Sequence, residues 1–373
     1  MKRIPTRYSL LFLCLLSVLS LTLLLSSCGL GSLTDGYQED EGANTVLSPV
    51  TDSQAPMPTT GTEAPPTTTA APASTAATTT PAVTIPPAPI LYFNPLSGLP
   101  CDSRASSARP LAFCTKEAAG SFISAADLVI EAPTESGNTR LLLLGTAHAE
   151  QFPSISIASV RPYMAALAND FFAVSIYRGT SDRERESAAL LYDTIDLKEK
   201  EAKTVEELRT LLTASGIQTG IAGSIALPYR LTPVGESTVP TSAPSTYVSV
   251  GFSQDAATSF TYDPLSRCYT MRSSRALKQD GAELPSFANL MILFHDATER
   301  VTKDGAELVL DTNSGGSGYY VSCGQVMQIL WRRDPSTSSL LITDTDGIPL
   351  TVNRGKTYVG MTSFAYRDGM ILN

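Results

Sequence analysis

The chain has 373 residues, a length that accommodates about two globular domains. Its 27 lysines and arginines against 36 acidic residues give a formal net charge of −9, which argues against nucleic-acid binding because phosphates require clustered basic charge. The chain has two histidines, His148 and His295, so a histidine-rich metal site is excluded. We predict no metal and no cofactor.

The N-terminal segment is typical of an export signal. A basic start precedes an apolar run from Leu10 to Leu25, which favours a secretory signal over a permanent transmembrane helix. The sequence Leu25-Ser26-Ser27-Cys28 then matches the bacterial lipobox. We therefore predict that residues 1–27 are a lipoprotein signal peptide and that Cys28 carries the lipid, which would place the chain on the extracellular face of the cell membrane.

Residues 28–89 are predicted to be a lipidated N-terminus followed by a disordered tether. From Thr51 to Pro89 the sequence is almost entirely threonine, alanine, proline and serine. Such a composition buries too little apolar surface to offset the entropy of ordering. We interpret the stretch as a spacer, and glycosylation of its threonines is left open.

Residues 90–233 combine strand and helix patterns. Apolar runs at Leu128–Ile130 and Arg140–Leu144 predict buried strands, and Tyr163–Asn169 predicts a helix. A capping box at Thr204–Glu207 opens a second helix, which should end near Gly216. The pattern predicts a mixed α/β sheet domain.

A linker at residues 234–245 separates this segment from residues 246–373, which are rich in short strand patterns and hairpin turns. The predicted fold class is therefore α+β, an N-terminal α/β domain followed by a mostly-β domain. We expect each segment to have its own strand set and to unfold cooperatively by itself, with a single shared core as the rival.

Four cysteines lie in the part predicted to be globular. An even number in an exported chain allows disulfides in three connectivities. Sequence grouping favours the pairs Cys101–Cys114 and Cys268–Cys323, and buried thiols are the alternative.

The best polar constellation consists of two carboxylates and two guanidinium groups, Glu131, Glu135, Arg140 and Arg161. It would bind a small ligand through bidentate pairs, or provide a general acid and base, or form a structural ion-pair network. The structural network has the largest weight, ligand binding comes next and catalysis last.

Other motifs favour structural roles. Neither histidine has a neighbouring nucleophile motif, and Gly315–Gly318 lacks the lysine of a phosphate loop. Asp344–Gly347 begins like a calcium loop but has Gly355 where the bidentate glutamate is needed. Trp331 is more typical of a strand core than of a sugar-stacking platform.

Several motifs together resemble the YerB-like lipoproteins, a Gram-positive family built from two adjacent domains of unknown function. They are Asn94–Pro100, Ala126–Glu131, Ser159–Tyr163, Gly316–Tyr320, Ile329–Arg332 and Asn353–Tyr358. The resemblance implies the two-domain architecture but supplies no reaction. Where the family usually has an arginine, this chain has Ala158, which implies that part of a polar site is lost.

We consider three classes of function. We favour a non-catalytic binding or scaffolding module of the cell envelope, because this class needs no catalytic motif. Its partner would be a cell-wall polymer or an envelope protein. The alternatives are a wall-directed hydrolase that uses the acidic pair and a ligand-capture lipoprotein.

Overall fold

The computed structural model describes residues 90–146, 156–179, 193–197, 204–302 and 305–373. All of them belong to one compact unit, Thr84–Asn373. The predicted signal peptide, the predicted lipidation site Cys28, the predicted tether and His148 lie outside the described residues. Among the described residues, no helix is long and apolar enough to span a membrane.

Short helices account for a minor part of the described chain. They are α1 (Ser103–Ser107), α2 (Gly120–Ala125), α3 (Pro162–Asp170) and α4 (Val205–Ala214), with 3₁₀ turns at Glu135–Gly137 and Phe364–Gly369. The predicted helix start at Thr204 is confirmed, because the Thr204 hydroxyl accepts from the Glu207 N–H at 3.1 Å. Gly216 follows α4 with a φ of 73°, as a helix-ending glycine does.

Strands dominate the fold. In chain order they are β1 (Tyr92–Phe93), β2 (Pro100–Cys101), β3 (Leu111–Thr115), β4 (Ala118–Ala119), β5 (Leu128–Pro133), β6 (Thr139–Gly145), β7 (Val174–Tyr177), β8 (Thr194–Asp196), β9 (Arg230–Leu231), β10 (Ala243–Pro244), β11 (Tyr247–Ser253), β12 (Ala256–Asp263), β13 (Cys268–Ser273), β14 (Leu277–Lys278), β15 (Ser286–Phe287), β16 (Asn289–His295), β17 (Ala297–Thr302), β18 (Gly305–Leu310), β19 (Gly316–Ser322), β20 (Gln325–Arg333), β21 (Leu340–Thr343), β22 (Thr351–Val352), β23 (Thr357–Ser363) and β24 (Ile371–Leu372). The protein is α+β and mostly β.

One large mixed sheet runs through both sequence segments. Its strand order is β10-β20-β19-β16-β23-β5-β6-β3-β7-β8, and β21 also pairs with β20. The two segments meet where β23 lies parallel to β5, with Tyr358 opposite Val129. Two smaller parallel pairings, β4 with β14 and β9 with β22, also join them.

Each face of the large sheet is covered, so its central strands are apolar on both sides. One face packs against α2, α4 and a second sheet of order β15-β13-β12-β11-β24. The other face packs against α3. Successive residues of β5 alternate between the two cores, with Val129 in the first and Ile130 in the second.

Both cores contain side chains from residues 90–233 and from residues 246–373. Each segment contributes a contiguous run of strands, but the two runs form one sheet and share both cores, which favours the rival expectation of a single shared core. Sequence patterns locate strands along the chain, whereas the pairing of β5 with β23 joins residues more than two hundred positions apart and has no local signal.

The predicted disulfides are also absent from the described residues. The four cysteines are thiols: Cys101, Cys114, Cys268 and Cys323. Cys114 is buried in β3, where its Sγ donates to the Ser159 carbonyl at 3.3 Å. Cys323 lies in the turn between β19 and β20, 3.1 Å from Nη2 of Arg267. These thiols have other polar contacts, which sequence grouping could not anticipate.

Candidate functional site

Glu131 lies in the middle of the molecule, between the two sheets. It projects from β5 and is fully buried. Hydroxyl groups donate to both of its oxygens: Thr139 at 2.9 Å, Thr258 at 2.8 Å, Ser274 at 3.2 Å and Tyr358 at 2.7 Å. Because three of these donors come from the C-terminal segment, the carboxyl group ties the two segments together.

Burial raises the pKa of Glu131, and the hydrogen bonds from Tyr358, Thr258, Thr139 and Ser274 offset only part of that rise. A carboxyl group with this environment is enclosed on all sides. It has no exposed surface through which a substrate could reach it.

Glu135 occupies a different environment at the end of β5. Arg161 donates from Nε to Oε1 at 2.9 Å and from Nη2 to Oε2 at 2.7 Å, a bidentate pair. The Leu308 N–H also donates to Oε1, at 3.2 Å. Burial acts to raise the pKa of Glu135, but Arg161 and the N–H donors outweigh it, so the pKa is lowered. At neutral pH Glu135 is therefore an anion held by its partners.

Arg140 joins this second group. Its Nη1 donates to the Ser159 carbonyl at 2.5 Å and to the Ser159 hydroxyl at 2.8 Å, and Nη1 of Arg161 reaches the same hydroxyl at 3.3 Å. In the β5–β6 pair Arg140 stands opposite Ala132, whereas Glu131 stands opposite Leu141. Arg140 and Glu131 therefore project from opposite faces of the sheet.

The four residues of the sequence prediction thus divide into three and one. Glu135, Arg140 and Arg161 lie together, whereas Glu131 lies apart in the core. The alternation of β-strand side chains separates Glu131 from Arg140, although sequence proximity had suggested that they meet.

An open cleft of about 430 Å³ lies at this end of the sheet. Its charged lining residues are Lys116, Glu117, Glu135, Arg140 and Arg275, and its polar ones are Thr134, Asn138 and Thr139. A volume of this order suits a small ligand. Glu135 and Arg140 are the two predicted site residues that line the cleft.

Sequence reasoning missed Lys116 and Arg275. Lys116 follows β3 directly, and Arg275 lies just beyond β13 in the second segment. Neither belongs to a motif, and only the packing of the second sheet on the first brings Arg275 to the cleft. No motif or predicted strand in the sequence analysis pointed to either position.

The other candidates from the sequence, His295 and Trp331, are buried side chains that donate hydrogen bonds to backbone carbonyls. His295 is 2% exposed, and its ring donates from Nδ1 to the Asp311 carbonyl at 2.8 Å. Burial lowers its pKa to about 4. Trp331 is a core residue, as expected, and its indole N–H donates to the Phe294 carbonyl at 3.0 Å.

The glycine-rich segment serves close strand packing. A Cβ at Gly316 would lie 2.6 Å from the Phe294 carbonyl oxygen, and one at Gly318 only 2.2 Å from that of Ile292. These glycines let β19 approach β16. Within the described ranges, no group of three or more histidine, cysteine and acidic side chains is placed to hold a metal ion.

Motifs that carry the family resemblance also have structural contacts. The Asn94 side chain accepts from the N–H groups of Leu96 and Ser97, at 2.9 and 3.1 Å. Arg354 donates to the carbonyls of Gly98 and Thr232, at 2.7 and 2.8 Å. The first and last motifs therefore pack together where the two segments meet.

The structure defines an α+β protein whose two consecutive segments share one sheet, with an open polar cleft at the end of that sheet. Residues 96–215 match the N-terminal domain and residues 248–359 the C-terminal domain of the family described as protein of unknown function (DUF3048). The chain therefore belongs to this YerB-like family, as its motifs predicted.

A solved structure has the same fold. The crystal structure of the YerB protein from Bacillus subtilis is 19% identical to this chain, with a TM-score of 0.58. The similarity covers 75% of this chain and 99% of that one. No functionally curated protein matches the chain.

Proposed function

We propose that this protein is a lipid-anchored module on the extracellular face of the cell membrane, which binds an envelope component in its cleft without performing a reaction on it. The observation that carries the binding role is the arrangement of the two glutamates. Glu131 is enclosed among hydroxyl donors, and Glu135 is held by Arg161 beside the open cleft.

A hydrolase that used this acidic pair would need both carboxyl groups to face one substrate. Glu131 is buried between the sheets, whereas Glu135 lines the cleft. The predicted pair Glu131 and Glu135 therefore does not converge on one bound group, which counts against the hydrolase that was expected to use it.

The anchor is supported by the lipobox and by the composition that follows it. A lipid on Cys28 would hold the chain at the membrane, and the threonine- and proline-rich stretch would let the folded unit reach wall material. The partner proposed for the cleft is a cell-wall polymer or an envelope protein.

Replacing Cys28 with alanine should abolish lipidation. Wild-type protein should partition with membranes and have a lipid-modified N-terminal cysteine in mass spectrometry. The variant should be an uncleaved precursor or a released, unlipidated chain. Cys14→Ala, the same change within the apolar run, serves as the control and should behave as wild type. A Cys28→Ala protein that is still cleaved before residue 28 and still membrane-bound would contradict the anchor.

Asn138→Ala should weaken binding to insoluble cell-wall preparations. The Asn138 side chain is exposed and lines the cleft, so its loss removes about one hydrogen bond, equivalent to roughly a threefold to tenfold loss of affinity. Co-sedimentation of the full-length protein in detergent measures this. Asn313→Ala, an exposed asparagine outside the cleft lining, is the matched control.

Soluble sugars and amines released from the wall are measured in the same experiment. Binding without release agrees with the proposal. Release that requires Glu135 would favour the hydrolase instead, and equal binding by the two asparagine variants would remove the cleft from the binding surface.

A further inference from the structure

The charge around the cleft is opposite in sign to that of the whole chain. Both carboxylates of the lining have basic partners outside it. Glu135 pairs with Arg161 at 2.7 Å, and Glu117 pairs with Lys278 at 2.5 Å. Arg161 and Lys278 are not lining residues, so basic side chains outside the lining compensate the negative charge of the cleft.

The lining itself contains the cations Lys116, Arg140 and Arg275, of which Lys116 and Arg275 are exposed. Counted over the described residues, the lining and these two outside partners contribute five cations and two carboxylates. The whole chain has a formal charge of −9. A concave surface focuses the potential of its wall, so this local excess attracts an anion to a chain that otherwise repels anions.

The cations differ in exposure, as expected for a site that accepts a ligand. Arg140 is 9% exposed, and Ser159 fixes its guanidinium group through two oxygens. Lys116 and Arg275 are exposed and line the opening. Arg275 Nη1 also donates to the Gly137 carbonyl at 3.3 Å, so one fixed cation inside the cleft and two exposed cations at its opening are available to a ligand.

The neutral lining residues suit the same ligand. Thr134, Thr139 and Asn138 have hydroxyl or amide groups that can donate to oxygen. Guanidinium and ammonium donors together with hydroxyl and amide donors are the set that recognises carboxylate and phosphate oxygens. The volume of about 430 Å³ limits the ligand to a small molecule or to one unit of a polymer.

We infer that the cleft between the β5–β6 turn and Arg275 binds an oxyanion, a carboxylate or phosphate group on a small ligand or a polymer unit. The inference rests on the proposed function, because it takes the same cleft as the binding site and specifies the chemistry of what enters it.

Calorimetric titration of the full-length protein, in a non-ionic detergent at low salt, tests this inference. The probes are methyl phosphate, acetate and tetramethylammonium chloride. We expect wild-type protein to bind at least one of the two oxyanions and not the cation. The affinity should fall as salt is raised, because Lys116 and Arg275 are solvent-exposed. Comparison of the affinities for methyl phosphate and acetate shows whether the cleft prefers a phosphate or a carboxylate group.

The double variant Lys116→Gln, Arg275→Gln should weaken that binding by about tenfold or more, since two charge-assisted contacts are lost. Both side chains are exposed, so thermal melting should be unchanged. Arg332→Gln removes an exposed cation on β20, outside the cleft lining, and should change the affinity by less than about twofold.

A fold-loss in the double variant no larger than the square of the loss in Arg332→Gln would overturn the inference, because each removed charge would then have the same effect wherever it lies. Failure of wild-type protein to bind either oxyanion would overturn it too. In that case the co-sedimentation with wall preparations still decides the proposed binding function separately.

Discussion

Replacing Glu131 with leucine is expected to lower the free energy of unfolding by about 2–4 kcal/mol, whereas Glu131→Gln should change it by less than about 1 kcal/mol. Leucine fills a similar volume but leaves the hydroxyls of Thr139, Thr258, Ser274 and Tyr358 without their acceptor. Glutamine keeps one acceptor oxygen, and its amide can donate to hydroxyls that rotate to accept. Urea unfolding of the full-length protein in detergent measures both changes.

The pH dependence of these changes follows from the raised pKa of Glu131. A carboxyl group whose pKa is higher in the folded state contributes its stability below the unfolded pKa and loses it as pH rises through the folded pKa. Wild-type protein should therefore lose stability relative to Glu131→Gln as pH rises above the ordinary glutamate range. Equal effects of leucine and glutamine, or a wild-type–glutamine difference that does not vary with pH, would show that Glu131 is not the buried acid described.

Separating the two sequence segments should have a larger effect than either substitution of Glu131. We expect both fragments to lose cooperative unfolding. Fragment 90–233 would expose the edge of β5 that pairs with β23, and fragment 246–373 would expose the corresponding edge of β23. Each fragment would also lack part of both cores. An unpaired central edge and a halved core leave too little burial to offset the entropy of folding.

Calorimetric melting of each fragment alone, and of an equimolar mixture, measures this. We expect no cooperative transition for either fragment alone and a transition for the mixture if the segments associate. The intact chain is the control. A cooperative transition in either fragment alone would restore the expectation that the segments are autonomous.

Local patterns were sufficient for several elements. The apolar runs of β5 and β6 are buried on both faces, and an apolar run of strand length indicates such a strand without knowledge of its partner. The start of α4 was equally predictable, because a capping hydroxyl and its N–H lie three residues apart in sequence. Motif order also determined the family, since it depends only on the sequence.

The candidate site was predictable only in part. Glu135, Arg140 and Arg161 lie close together because the end of β5, the start of β6 and the start of α3 converge. Glu131 was grouped with them on sequence proximity, but strand pleating turns it to the other face. Arg275 could not be predicted, because its position depends on how one sheet packs on another.

The sequence by itself therefore determined the α+β class, the main central strands and the family, since each depends on composition, periodicity or motif order within short windows, and the same kind of pattern predicts an export-type N-terminus. Only the tertiary structure decided that the two segments share one sheet, that the cysteines are thiols and that Glu131 is a buried acid. The pairing of β5 with β23 and the hydroxyl contacts of Glu131 join distant parts of the chain. Such contacts arise from the packing of complete sheets, which no local pattern specifies.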